Sequence, residues 1–285
     1  MHAIGIIGGS GLYEMEELTQ REELEVSTPF GLPSDAIISG KLHGRQVYFL
    51  PRHGRGHRIL PNELNHRANI WALRNLGVRW IICVTAVGSL KEDYAPRDVV
   101  LPDQYFDRAT SRSEHTFFGN GIVAHISFAE PVSKGLRELL YEETQAVGAR
   151  VHNGGTYVCM DGPAFSTRAE SQVNRQLGFD VVGMTNLPEA KLAREAEIAL
   201  ATMSMVTDYD CWKVEEEPVK VETVMEHLYA NVALAKKVIS RVIPRIPLEP
   251  DWPEHFALEG SIITDSSLWP LTSSENLRPL LERWM

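Results

Sequence analysis

The stretch ATMSMVTDYDCW, Ala201–Trp212, opens as an apolar run and closes on two carboxylates. Met203 to Val206 has the length and continuity of a buried strand. Thr207, Asp208 and Asp210 follow at its carboxyl end, where open α/β sheets collect their ligands. Two acids in such a place are costly unless a cation or a proton donor meets them. Taken alone, the stretch reads as a polar turn after a strand, with Asp208 an ordinary turn residue. The rest of the chain shifts that balance.

Working outward, four more predicted strands end in glycine-rich or polar loops. Ala3 to Ile7 runs into Gly8, Gly9, Ser10 and Gly11, backbone that can open toward an anion, with Ser10 as hydroxyl donor. The spacing fits neither GxGxxG nor a P-loop, and a tight turn needing glycine accounts for it equally. Ala36–Ser39 and Gln46–Leu50 predict a hairpin about His43-Gly44. Its second strand enters PRHGRGHRILPNELNHRANIWAL, where Arg52, His53, Arg55, His57, Arg58, His66 and Arg67 gather. His53 and His57 have i, i+4 spacing, but Gly54, Gly56 and Pro61 oppose the helix a metal pair would need. An arginine beside a histidine on such a loop suits a phosphate or carboxylate; a solvated loop is the plainer alternative. Trp80 to Val84 finishes in Thr85-Ala86-Val87-Gly88-Ser89, and Val181 to Gly183 leads to Met184-Thr185.

Between these strands lie helical patterns. Glu63–Leu76 places Leu64, Ala68, Trp71 and Ala72 on one face, with Gly77 as stop. Pro131 opens a helix through Val147. Thr167 and Glu170 have capping-box spacing for a helix ending near Leu177. Pro188 starts another, and Val221–Val242 is a long one. Asp98–Leu101 and Thr156–Cys159 read as strands. Tyr105–Ala129 reads as a long excursion with a short strand near Ile122–Ile126. Strands alternating with helices, without linker or repeat, predict a single α/β domain with a twisted, mostly parallel mixed sheet flanked by helices. That domain spans 1–248. Residues 249–285, rich in tryptophan and proline, are an extension packed on the domain or on a neighbouring subunit.

The 285 residues carry 28 basic and 38 acidic side chains, a formal charge of −10. An acidic chain without a basic block is a poor partner for nucleic acid or an anionic membrane. Three scattered cysteines indicate neither a disulfide framework nor a zinc site. The N-terminus lacks signal-peptide character, and no apolar run approaches the roughly 20 residues of a membrane helix. A cytoplasmic protein is expected.

GIIGGSGL, RHGRGH with PNELNHRANIWAL, TAVGSL, MDGPAFSTRAES, GMTNLPEAKLARE and TDYDCW occur in one order from about Ile4 to Ile246. Together they resemble the methylthioadenosine phosphorylases of the trimeric purine nucleoside phosphorylase superfamily. The resemblance implies phosphorolysis of S-methyl-5′-thioadenosine, with inorganic phosphate as co-substrate and no metal or organic cofactor. It places the phosphate on Ser10, Arg52, His53, Thr85, the Ala86 backbone and Thr185. It puts Met184 under the ribose, Phe165 against the base, and Asp208 and Asp210 at the base's edge, Asp208 being the catalytic acid. Val221, Val224 and Met225 would line the methylthio pocket, with His125 offered to an adjacent subunit of a homotrimer or of a hexamer of two rings. Relatives often have threonine at Ser10, arginine at Ala164 and glutamate at Asp161. Enzymes for 6-oxopurines, the nearest rival, resemble this chain but carry Phe-Glu-Thr at Phe165-Ser166-Thr167 and asparagine near Asp208. A hydrolytic nucleosidase and a sensor without turnover are the remaining alternatives.

Overall fold

Ala3–Gly8 form β1, and all six residues are buried. Ile4 and Ile6 belong to one apolar cluster, Ala3 and Ile7 to another. That period of two marks a strand covered on both faces. The computed structural model describes residues 2–9, 11–110, 114–213 and 221–285, apart from the side chains of 221–226, 228 and 229.

β1 lies between β4 (Arg45–Pro51) and β5 (Val78–Ser89), parallel to both. β5 alternates likewise, with Trp80 and Ile82 in one cluster and Ile81 and Cys83 in the other. The small-residue run Thr85–Ser89 is the second half of this strand rather than a loop after it. Along one edge β5 pairs in parallel with β11 (Ala199–Asp208), from Trp80 to Gly88. Along the other it pairs with β1 as far as Cys83, then antiparallel with β10 (Val181–Gly183) at Gly88 and Ser89. Between them the edge changes partner, and the sheet splits there.

Beyond β10 come β9 (Thr156–Cys159) and β7 (Gln104–Asp107), both in parallel pairing. β11 carries β6 (Val99–Leu101) antiparallel, and β6 carries β8 (Val151–Asn153) in parallel. β2 (Thr19–Leu24) and β3 (Ile37–Leu42) extend the sheet antiparallel from β4. The hairpin between β3 and β4 turns at His43 and Gly44, both at positive φ. The sheet is therefore mixed: β4-β1-β5-β11, β10-β9-β7 and β6-β8 are parallel blocks, joined antiparallel at β5-β10 and β11-β6, with β2-β3-β4 antiparallel.

On the face of Ile4 and Trp80 lie α2 (Lys134–Ala146) and α5 (Val221–Val242). On the other lie α1 (His66–Asn75) and α4 (Asn186–Glu195). α3 (Arg168–Gln176) has the predicted capping box: Thr167 Oγ1 accepts from Glu170 N, and Glu170 accepts from Thr167 N. α1 starts later than its pattern suggests, because Asn65 Oδ1 accepts from Ala68 N at 3.0 Å and caps it. α4 is regular from Pro188 onward, as its pattern predicts, with Asn186 set off from it by an extended Leu187.

Residues 253–284 fold back as short helical turns with α6 (Leu271–Asn276) and α7 (Arg278–Leu281). Leu258, Leu277, Leu280 and Leu281 are buried in the cluster that includes α1. Trp71 Nε1 donates to the Asn276 carbonyl at 2.8 Å. Ile122–Ile126 is not a strand. It makes isolated bridges, Ala124 with Ile262 and Ile122 with Gly119, because its partner is this folded-back tail and not the sheet. β2, β7 and β8 are strands the sequence pattern does not announce. No described helix is long and apolar enough to cross a membrane.

Candidate active site

At the end of β4 the chain passes Pro51 and turns Arg52 inward, where only 2 % of it is exposed. An arginine so deep must be paired. Its Nε and Nη2 donate to the two oxygens of Glu189 at 2.9 and 2.8 Å. Its Nη1 donates to the Val84 carbonyl at 3.0 Å. Cys83 Sγ donates to the same Glu189, also at 3.0 Å. Burial pushes the Glu189 carboxyl up, yet the charge of Arg52 and its hydrogen bonds outweigh that and hold it below its usual range. Arg52 is in turn raised by its partner.

His53 follows in a run of turns. Its Nδ1 donates to the Ile59 carbonyl at 2.8 Å, and its ring stacks on His57 at 4.3 Å. Burial brings the imidazole down to about 4, so it is neutral near pH 7 and its Nε2 carries a lone pair.

The split edge of β5 supplies the next groups. In a strand the N–H and C=O of one residue point to one edge, and those of the next residue to the other. Val84 offers its carbonyl to Arg52 on the edge between β1 and β10, so the Ala86 N–H points the same way. Ala86 and Gly88 are only half-buried there. Thr85 Oγ1 lies 3.2 Å from Thr185 Oγ1, and both threonines are buried. Thr185 stands at the head of α4, where its N–H meets the Tyr157 hydroxyl at 3.3 Å.

β11 brings in Asp208. Thr207 Oγ1 donates to its Oδ2 at 2.7 Å and Asp210 N to its Oδ1 at 2.8 Å. Asp208 pairs in register with Gly88. A Cβ at Gly88 would sit 3.0 Å from Asp208 Oδ1 and 3.3 Å from Asp210 Cβ, so glycine is what lets the acids approach. Burial pushes the Asp210 carboxyl up. Around them, Trp212 Nε1 donates to the Ser89 carbonyl at 2.8 Å, and Arg175 lies 3.7 Å over the Trp212 ring.

The loop after β9 covers this ground. Gly162 is at positive φ, and a Cβ there would collide with Met184 Sδ. Met184 is half-buried, and Phe165 is 51 % exposed. Cys211 Sγ donates to the Ser166 carbonyl at 3.2 Å, tying the loop to the turn after β11. Asp161 accepts from Thr110 N and Oγ1 at 2.9 and 3.0 Å, tying it to the excursion.

Arg52, His53, Thr85, Ala86, Thr185, Met184, Asp208 and Asp210 thus converge. Ser10 lies outside the described residues, as do the side chains of Val221, Val224 and Met225, although their backbone is the first turn of α5. His125 is exposed, and its N–H donates to the Ser261 carbonyl of the tail. Among the described residues no contact links it to this constellation. The sequence pattern gave no role to Glu189. Its one signal is an acid on the apolar start of a helix, which needs a buried cation.

Comparison with known proteins gives the chain a family. The profile of the phosphorylase superfamily matches residues 3–244. S-methyl-5′-thioadenosine phosphorylase of Geobacter sulfurreducens is 52% identical over 274 residues, 96% of each chain. The enzyme of that name from Chloroflexus aurantiacus is 52% identical over 286 residues, 100% of this chain and 99% of its own. A crystal structure of methylthioadenosine phosphorylase from an antarctic soil metagenomic library superposes with a TM-score of 0.94, at 45% identity, covering 98% of this chain and 99% of its own. One from Schistosoma mansoni in complex with adenine gives 0.85 at 36% identity, covering 92% and 99%. The chain belongs to the phosphorylase superfamily and, within it, to the S-methyl-5′-thioadenosine phosphorylases.

Proposed function

We propose that the chain catalyses phosphorolysis of S-methyl-5′-thioadenosine to adenine and 5-methylthioribose 1-phosphate. The observation that carries this is the layout along β5. Thr85, beside Thr185 and Arg52, stands three residues before Gly88, which pairs with Asp208. At about 3.3 Å per residue that is roughly 10 Å, room for a ribose and the imidazole edge of a purine. Phosphate sits on Arg52, the Thr85 and Thr185 hydroxyls, the Ala86 N–H, His53 and Ser10. A phosphate oxygen bonds to the anomeric carbon as the bond to the base's N9 breaks, and that electron pair leaves with the base. Asp208 donates or shares a proton at N7, help of a kind worth about 10²–10⁴-fold. The bound phosphate stabilises the oxocarbenium-like sugar before capturing it. Met184 lies under the ribose, Phe165 against the base, and Asp210 at its edge.

The 5′-methylthio group falls to Val221, Val224 and Met225, with His125 supplied by a second copy in a homotrimer. The exposed position of His125 supports that arrangement. A hexamer of two rings is the other assembly consistent with it. Neither metal nor organic cofactor takes part. Three free cysteines fit a cytoplasmic setting.

The test is base release from methylthioadenosine, adenosine, inosine and methylthioinosine, each with and without phosphate. Phosphate-dependent release of adenine from methylthioadenosine is expected. Equal turnover without phosphate would mean a hydrolase, and a preference for methylthioinosine would mean a 6-oxopurine enzyme.

A further inference from the structure

The Arg52 fork is closed from behind. A guanidinium has five N–H groups, and three of Arg52's are engaged: two on Glu189 and one on the Val84 carbonyl. Both members of the pair are buried, at 2 % and 1 % exposure. The contact ties together three elements that bear the site. Arg52 follows β4, Val84 precedes Thr85 on β5, and Glu189 is four residues beyond Thr185 on α4. Its charge balance is as notable as its geometry. The positive charge of Arg52 is cancelled by Glu189, and the two threonine hydroxyls are neutral. His53 is held neutral by burial. The other cations of the loop are committed elsewhere, Arg55 to Glu23 and Asp35, and Arg58 to Asp35.

We infer that Glu189 is a positioning residue that sets the affinity for phosphate, by locking the Arg52 fork and cancelling its charge so that the anion meets donors with no net charge. This rests on the phosphorolysis proposed above. The chemistry gives such a device a purpose. An uncompensated buried cation would hold the phosphate and the sugar-phosphate product alike, and such uniform binding does not speed turnover. A paired guanidinium still directs its remaining N–H groups, and it lets the product go.

Steady-state kinetics with phosphate varied at saturating nucleoside test this on Glu189→Gln, Arg52→Gln and the double variant. Glu189→Gln leaves Arg52 uncompensated, and its phosphate KM should fall about threefold or more, with kcat falling as product release slows. Arg52→Gln leaves Glu189 as an unpaired anion behind the site, and phosphate KM should rise about a hundredfold. The double variant restores neutrality and should recover at least about tenfold of that loss. A brace without an electrostatic role predicts the opposite sign for Glu189→Gln and no recovery in the double variant; either result overturns the inference. The double variant buries no unpaired charge, so it can be read even where a single variant does not fold. A phosphate KM within about tenfold of wild type is then expected, and a larger rise overturns the inference on its own. Wild-type turnover independent of phosphate is a different failure, for it removes phosphorolysis and leaves no phosphate KM to compare.

Discussion

Asp208 ends a buried strand, takes hydrogen bonds from Thr207 and the Asp210 N–H, and rests against a glycine. An amide there keeps the shape and loses the proton. Asp208→Asn should therefore cut adenine release by about 10²-fold or more, with 6-oxopurine turnover falling less, read by assaying both bases. Another acid speaks through stability. Glu195 is buried, accepts from Thr116 Oγ1 and Phe117 N at 2.7 Å each, and is pushed by burial up to about 7 from an ordinary 4.5. Between those values the folded chain holds a proton that the unfolded chain has lost, so stability falls as pH rises through the window. Glu195→Gln can still accept from Phe117 N and donate to Thr116. We expect it to be more stable than wild type at pH 8, on the order of 1–3 kcal/mol, with the gain vanishing near pH 4.5 in melting curves. Single residues were legible where their position declared them. Arg52, Thr85 and Asp208 stand at the ends or along the edges of apolar runs. Glu189 did not, because its partner is 137 residues away and no local pattern pairs them.

Elements were legible in proportion to how local their causes are. The capping box of α3 and the Gly77 stop after α1 follow from neighbours within a turn. The polar TQREEL of β2 is a strand only because β3 lies beside it. Ile122–Ile126 had a strand's composition but met the tail instead of the sheet. That tail is itself structural. Leu258, Leu277, Leu280 and Leu281 are all at most 3 % exposed. Burying each contributes about 1.5–3 kcal/mol, a sum comparable with the stability of a whole domain. We expect a chain ended at Glu249 to come insoluble or unfolded by circular dichroism, and a native spectrum with an unchanged melting temperature would show the tail to be dispensable.

For the whole molecule, the alternation of strand and helix was enough for the fold class, while the three-way pairing of β5 was not visible in any local pattern. The assembly prediction belongs here too. Mixing subunits carrying Asp208→Ala with subunits carrying His125→Ala should restore activity to sites whose two altered positions fall on different chains. No recovery in mixed oligomers verified by mass spectrometry, or a fully active monomer in sedimentation, would remove His125 from a neighbour's site. The pairing of β5 has a further consequence, in time rather than space. Its β1 partner has already been made when β5 is translated, but β10 and β11 lie about a hundred residues downstream. At roughly 5–20 residues per second, the growing chain exposes a hydrophobic strand with an open edge for on the order of ten seconds. During that interval the nascent polypeptide is a substrate for chaperones and a template for aggregation, so slower elongation should lengthen the exposure and lower the soluble yield, and added chaperone should restore it.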